Sequence, residues 1–115
     1  MRSSIYFLLL FTILTSFAAC NAQINNANSE TVKIYGNCGM CKSTIEKAGY
    51  QKDIAKVEWN KASKMAKITY DKSKTNLDEI LKRISLSGYD SDKFRAPDKA
   101  YNKLHECCHY ERPEK

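Results

Sequence analysis

Two thiols three positions apart, Cys38 and Cys41, lie in the stretch Gly36-Asn37-Cys38-Gly39-Met40-Cys41. The residues before them, Thr31 to Tyr35, are β-branched and aromatic, and those after them, Lys42 to Ala48, have helical character. Thiols on a loop entering a helix converge on one small target, and the positive end of the helix dipole favours the thiolate. A thiolate pair so placed suits a soft metal ion, or closes into a disulfide. A second stretch, His105-Glu106-Cys107-Cys108-His109, holds four more donors in five residues: His105, Cys107, Cys108 and His109. Adjacent cysteines rarely bridge to each other without backbone strain. On a helix, Cys107 and Cys108 would diverge by about 100°, so this cluster cannot close a site alone but can lend ligands to another. The plainer reading is that one of these cysteines packs against a sheet while both histidines face water.

The elements that must position these donors are legible from periodicity. Thr31–Tyr35 reads as a first strand, and about Cys41 to Ala48 as a helix stopping at Gly49. Ile54–Trp59 and Lys64–Tyr70 alternate like half-buried strands around a turn at Asn60–Ser63. Asn76 is placed to cap a second helix, with Glu79 three residues on and Leu77, Ile80, Leu81 and Ile84 as its apolar stripe. Gly88 ends it, and Ser91–Arg95 reads as a short last strand. The order β-α-β-β-α-β predicts an α+β, ferredoxin-like sandwich. Beyond Pro97, Asp98 to His109 reads as an added C-terminal helix with Tyr101, Leu104 and Cys108 on one face, followed by a frayed charged end, Glu111–Lys115.

The 115 residues suffice for one small domain. The formal charge of +6 combines 19 basic with 13 acidic residues, without an arginine cluster or interleaved aromatics, which argues against nucleic acid. Residues 1–19 read as a signal peptide: Arg2 precedes an apolar run from Ile5 to Phe17, too short for a comfortable membrane span. Phe17-Ala18-Ala19-Cys20 resembles a bacterial lipoprotein box, with Cys20 as the lipidated residue, whereas cleavage after Ala22 would leave a soluble form. Either way the mature chain is expected in the periplasm or outer envelope. Residues 20–29, rich in asparagine, read as a flexible tether, residues 30–96 as the folded domain and 97–115 as a helical tail.

Residues 30–95 resemble the heavy-metal-associated domain family, which includes copper chaperones, the N-terminal domains of metal-pumping ATPases and periplasmic mercury-binding proteins. The resemblance rests on Cys38 and Cys41 between first strand and first helix, on Gly88-Tyr89, and on the order of elements. It implies that Cys38 and Cys41 are the metal thiolates and that Tyr89 lies near the metal loop. Where the family reads Gly-Met-Thr-Cys, this chain has Tyr35-Gly36-Asn37-Cys38. The family methionine packs under the loop, so Gly36 is expected to leave that spot unfilled and the loop more mobile. Met40 is then a candidate to shield the metal. The first helix also reads as shorter than the family's.

The expected function is soft-metal binding by the Cys38–Cys41 pair and transfer by ligand exchange, or sequestration, with no catalytic constellation in the sequence. Two thiolates favour Cu(I) or Hg(II); Zn(II) or Cd(II) would draw further ligands from the tail. The expected partners are a metal transporter or efflux component, and the membrane through a lipid on Cys20. An envelope thiol–disulfide protein, or a lipoprotein whose cysteines are simply bridged, are the alternatives.

Overall fold

A computed structural model describes residues 23–115. The signal segment and Cys20 lie outside them.

The two alternating runs pair as a hairpin. β2 (Ala55–Trp59) and β3 (Met65–Asp71) are antiparallel, with Val57 opposite Ile68 and Trp59 opposite Ala66. Ala55, Val57, Trp59, Ala66, Ile68 and Tyr70 turn inward, as a period of two requires. The turn is held by the Asn60 side chain, which accepts hydrogen bonds from the Ala62 and Ser63 amides. β1 (Ala27–Lys33) pairs antiparallel with the other edge of β3, giving the order β1-β3-β2.

β1 begins three residues inside the stretch expected to be tether: Ala27, Asn28 and Ser29 pair with Asp71, Tyr70 and Thr69. Their side chains are exposed, so no apolar alternation marked them. Backbone pairing to the free edge of β3 orders them instead. The expected fourth strand, Ser91–Arg95, is reduced to one bridge, Ile34 with Ser91, beside a hydrogen bond from the Tyr35 amide to the Asp90 carbonyl. Its remaining backbone is diverted. The Phe94 amide donates to the Ser91 hydroxyl, and the Ala96 amide to the Asp90 carboxylate.

Two helices cover one face of the sheet. α1 (Gly39–Gly49) is longer at its start than periodicity indicated, because Gly39 and Met40 join its first turn. It buries Cys41, Ile45 and Gly49. A side chain at Gly49 would run into Val57, so the glycine lets α1 lie directly on β2. The strand's last residue is tied to the helix: the Trp59 amide donates to Glu46, and Lys42 donates to the Trp59 carbonyl. α2 (Leu77–Leu86) buries the expected stripe. Asn76 caps it by accepting from the Glu79 amide. Arg83 reaches across from α2 to the Ala48 and Gly49 carbonyls, satisfying the end of α1. Sheet and helices thus make the α+β, ferredoxin-like sandwich, with its fourth strand shrunk to a stub.

The tail is not the single helix expected over 98–109. A short helix, α3 (Asp98–Asn102), is followed by an extended His105 and a 3-10 turn at Glu106–Cys108. Gly88 at φ +111 allows α3 to pack close: a Cβ there would meet the Ala100 carbonyl and Leu104 at 3.0 Å. The break at His105 turns the chain back over the domain, toward a buried anchor at Tyr110. Glu111–Lys115 is not wholly frayed either, since Arg112 is held at both Asp90 and Asp98.

Candidate metal centre

Cys38 is the residue before α1, in extended conformation, and Cys41 lies one turn into the helix with its side chain fully buried. Their sulfurs are 3.2 Å apart. The 3-10 turn of the tail brings a third: Cys108, 2% exposed, stands with its sulfur 3.3 Å from that of Cys38. The three sulfurs lie within 4.8 Å of one another, and all three residues are free thiols. With metal–sulfur bonds of about 2.3 Å, thiolates around one trigonal ion stand roughly 4 Å apart. The trio therefore needs only a small opening to accept a soft cation, and its donor chemistry fits one.

The three sulfurs differ in how readily they carry charge. Burial raises the pKa of Cys38. The backbone amides of Cys41 and Met40 and the thiols of Cys41 and Cys108 outweigh that and bring it to about 6. Cys108 moves the opposite way, pushed well up by burial and by the neighbouring sulfurs of Cys38 and Cys41. One sulfur is thus poised to ionise and another resists until a cation offsets its charge. Asn37 holds the Cys41 sulfur, donating from its amide at 3.5 Å and accepting at its side-chain oxygen at 3.2 Å.

Tyr89 lies behind the trio as the resemblance implied. The residue is 1% exposed, and among the described residues its hydroxyl finds no hydrogen-bond partner. Burial and the adjoining Cys41 and Cys108 sulfurs keep it protonated. A buried hydroxyl facing thiols becomes a useful donor once those thiols are thiolates.

The place beneath the loop is not left unfilled. Gly36 is buried, and a Cβ there would lie 3.0 Å from the Trp59 ring and 3.2 Å from Cys41. The indole occupies the space, and its N–H donates to the Ile34 carbonyl at 2.9 Å. The loop is thus supported by an aromatic from the neighbouring strand, β2.

Of the other donors, Cys107 is exposed, with its sulfur 3.9 Å from that of Cys38 and 3.8 Å from that of Cys108. Met40 is 47% exposed, with its sulfur 3.5 Å from that of Cys107. The histidines do not join the cluster. His105 is exposed, and His109 packs on the Tyr101 ring with centroids 5.1 Å apart. The extended backbone at His105 turns Cys108 inward and leaves both imidazoles outside.

Sequence reasoning missed the residues that hold the tail. The Asp90 side chain is fully buried and accepts from Arg112 at 2.8 and 2.9 Å and from the Ala96 amide. The Tyr110 hydroxyl accepts from the Asp90 amide and faces both the Gly88 carbonyl and Asp90 Oδ2, with one proton for the two. Its ring stacks on Tyr89 at 5.7 Å. A polar Asp directly after Gly88-Tyr89, and an arginine in a tail rich in tyrosine, were the available signals.

No family model matches the chain. A copper-transporting ATPase of Helicobacter pylori is 40% identical over 63 residues, which are 54% of this chain and 8% of the ATPase. A second, from strain ATCC 700392 / 26695, is 38% identical over the same length. The chain therefore spans only a small part of these relatives. Among solved structures, a CopZ metallochaperone superposes with a TM-score of 0.52 at 29% identity, covering 98% of that chain and 56% of this one. The shared fold, the ATPase likeness and the cysteine cluster at the start of α1 agree with the resemblance to heavy-metal-associated domains read from the sequence.

Proposed function

We propose that the protein is a carrier for a soft monovalent cation, Cu(I) foremost, which it holds between the thiolates of Cys38, Cys41 and Cys108. It then passes the ion by ligand exchange to a membrane transporter. The observation that carries this reading is the third sulfur: a buried Cys108 from the tail, 3.3 Å from Cys38, completes a trigonal set that a two-cysteine loop lacks. Trigonal thiolates suit Cu(I), whereas Zn(II) prefers four ligands. The likeness to copper-transporting ATPases and to a CopZ metallochaperone supports both the cargo and the kind of partner. The apolar segment ahead of Cys20 supports an envelope location and a lipid anchor.

Anaerobic titration of the reduced protein with Cu(I) tests the reading. One ion should bind tightly, with three sulfur neighbours by X-ray absorption, and Cys38→Ser with Cys41→Ser should abolish it. Retained affinity in that double variant would place the ion elsewhere. Absence of tight binding in the reduced parent would favour the thiol–disulfide alternative.

A further inference from the structure

The three inner sulfurs account for holding an ion but not for how one reaches them. Cys41 and Cys108 are buried, and the trio is backed by Tyr89 and Trp59. Two further soft donors stand outside. Cys107 is an exposed thiol, and Met40 is one of the few large apolar side chains left in water among the described residues. Their sulfurs are in contact at 3.5 Å although they come from opposite sides of the mouth, one from α1 and one from the tail. The Cys107 sulfur is also 3.9 Å from Cys38 and 3.8 Å from Cys108. Those are the separations that two thiolates on one soft ion adopt, at about 2.3 Å from metal to each sulfur. An exposed thioether touching an exposed thiol is the donor pair that a soft monovalent cation accepts while still partly open.

We propose that Met40 and Cys107, with Cys38 as the shared sulfur, form an outer, solvent-facing subsite through which a soft monovalent cation enters and leaves the inner trio. The proposal rests on the inner site being a metal site. Cys38 keeps its bond throughout the step. The bond to Cys107 breaks as bonds to Cys41 and Cys108 form, the freed Cys107 thiolate takes a proton from water, and Met40 is released. The cation keeps its oxidation state, and each thiol that becomes a ligand gives its proton to water. The exchange is associative, so no bare ion forms. The outer pair gives a donor protein's thiols, or an acceptor's, a place to meet the ion without first prying the tail away.

The test measures Cu(I) transfer into and out of the full mature chain by anaerobic stopped flow, with bicinchoninate as the competing chelator. Cys107→Ser and Met40→Leu should each slow transfer at least fivefold. Affinity should stay within twofold, and three sulfur neighbours should remain by X-ray absorption. Rates within twofold of the parent in both variants would overturn the proposal. So would loss of a sulfur neighbour in Cys107→Ser, which would make Cys107 an inner ligand. Failure of the inner-site reading is distinguishable, because it shows in the Cys38→Ser, Cys41→Ser double variant whatever the rates in these two.

Discussion

Arg112 grips Asp90 with two prongs, Nε to Oδ2 at 2.8 Å and Nη2 to Oδ1 at 2.9 Å, around a carboxylate with no exposed side-chain surface. The guanidinium also donates to the Ala96 carbonyl and lies over the Tyr101 ring at 4.7 Å. This pair ties the end of the chain to the residue that follows Tyr89, and Cys108 lies on the segment between. Removing one partner leaves a buried charge uncompensated, at a cost on the order of 3–5 kcal/mol. Arg112→Met should therefore undock the tail while the sandwich of β1–β3, α1 and α2 persists. Far-ultraviolet circular dichroism should change little, and Cys108 should become as quickly alkylated as Cys107. Continued protection of Cys108 would show that the latch is dispensable.

The same pair sets an acid limit. Burial alone would raise the Asp90 pKa, but the Arg112 guanidinium, the Ala96 amide and the Tyr110 hydroxyl more than offset it and hold the carboxyl below its usual range. A depressed carboxyl contributes its full stability above the unfolded pKa, roughly 4. That contribution is lost as pH falls through the folded value. The Asp90–Arg112 contribution to tail docking should be constant from neutral pH down to about 4 and be lost below it. Near-ultraviolet circular dichroism of the stacked Tyr89 and Tyr110 rings is the readout, and Asp90→Asn should remove the transition.

Cys108→Ser should reduce the sulfur neighbours of bound Cu(I) from three to two while leaving the apo fold in place. The serine keeps the shape but is a poor soft-metal ligand. Affinity should fall at least tenfold. An unchanged sulfur count would mean that the third sulfur is a neighbour of the ion and not its ligand.

Tyr89→Phe removes a buried hydroxyl that has no partner among the thiols. Apo stability should change by less than about 1 kcal/mol, or rise, because no hydrogen bond is lost. Metal retention should weaken, because the thiolates would lose a donor. Chemical denaturation and chelator competition on the same samples separate the two effects. Equal loss in both would make the residue purely structural.

Gly36→Ala places a methyl group against the Trp59 ring and the Cβ of Cys41. Tightly packed positions of this kind lose roughly 1–3 kcal/mol. The change should lower the thermal midpoint and disturb binding together. Trp59 is the chain's single tryptophan, so its fluorescence should report both unfolding and loading of the loop.

Patterns that repeat within one element were enough to identify that element. The alternation from Ala55 to Tyr70, the stripe on α2, the Asn76 cap and the Cys38–Cys41 spacing are local, and each follows from a period or a hydrogen bond spanning a few residues. The pairing of Ala27–Ser29 was hidden because an exposed edge strand is ordered by its neighbour's backbone and not by its own side chains. The loss of the fourth strand and the break at His105 follow from Asp90, Tyr110 and Arg112, whose partners are 6 to 22 residues away. A helical reading of 98–109 put Cys107 and Cys108 on diverging faces without saying which one turned toward the loop. Direction of travel is a property of how the tail docks. The sequence on its own therefore determined that sulfur donors gather at the start of α1 and in the tail. Only the tertiary structure decided that Cys108 turns inward, that Cys107 and Met40 stay at the mouth, and that both histidines face away. That choice depends on a buried ion pair between segments whose spacing along the chain carries no periodic signal.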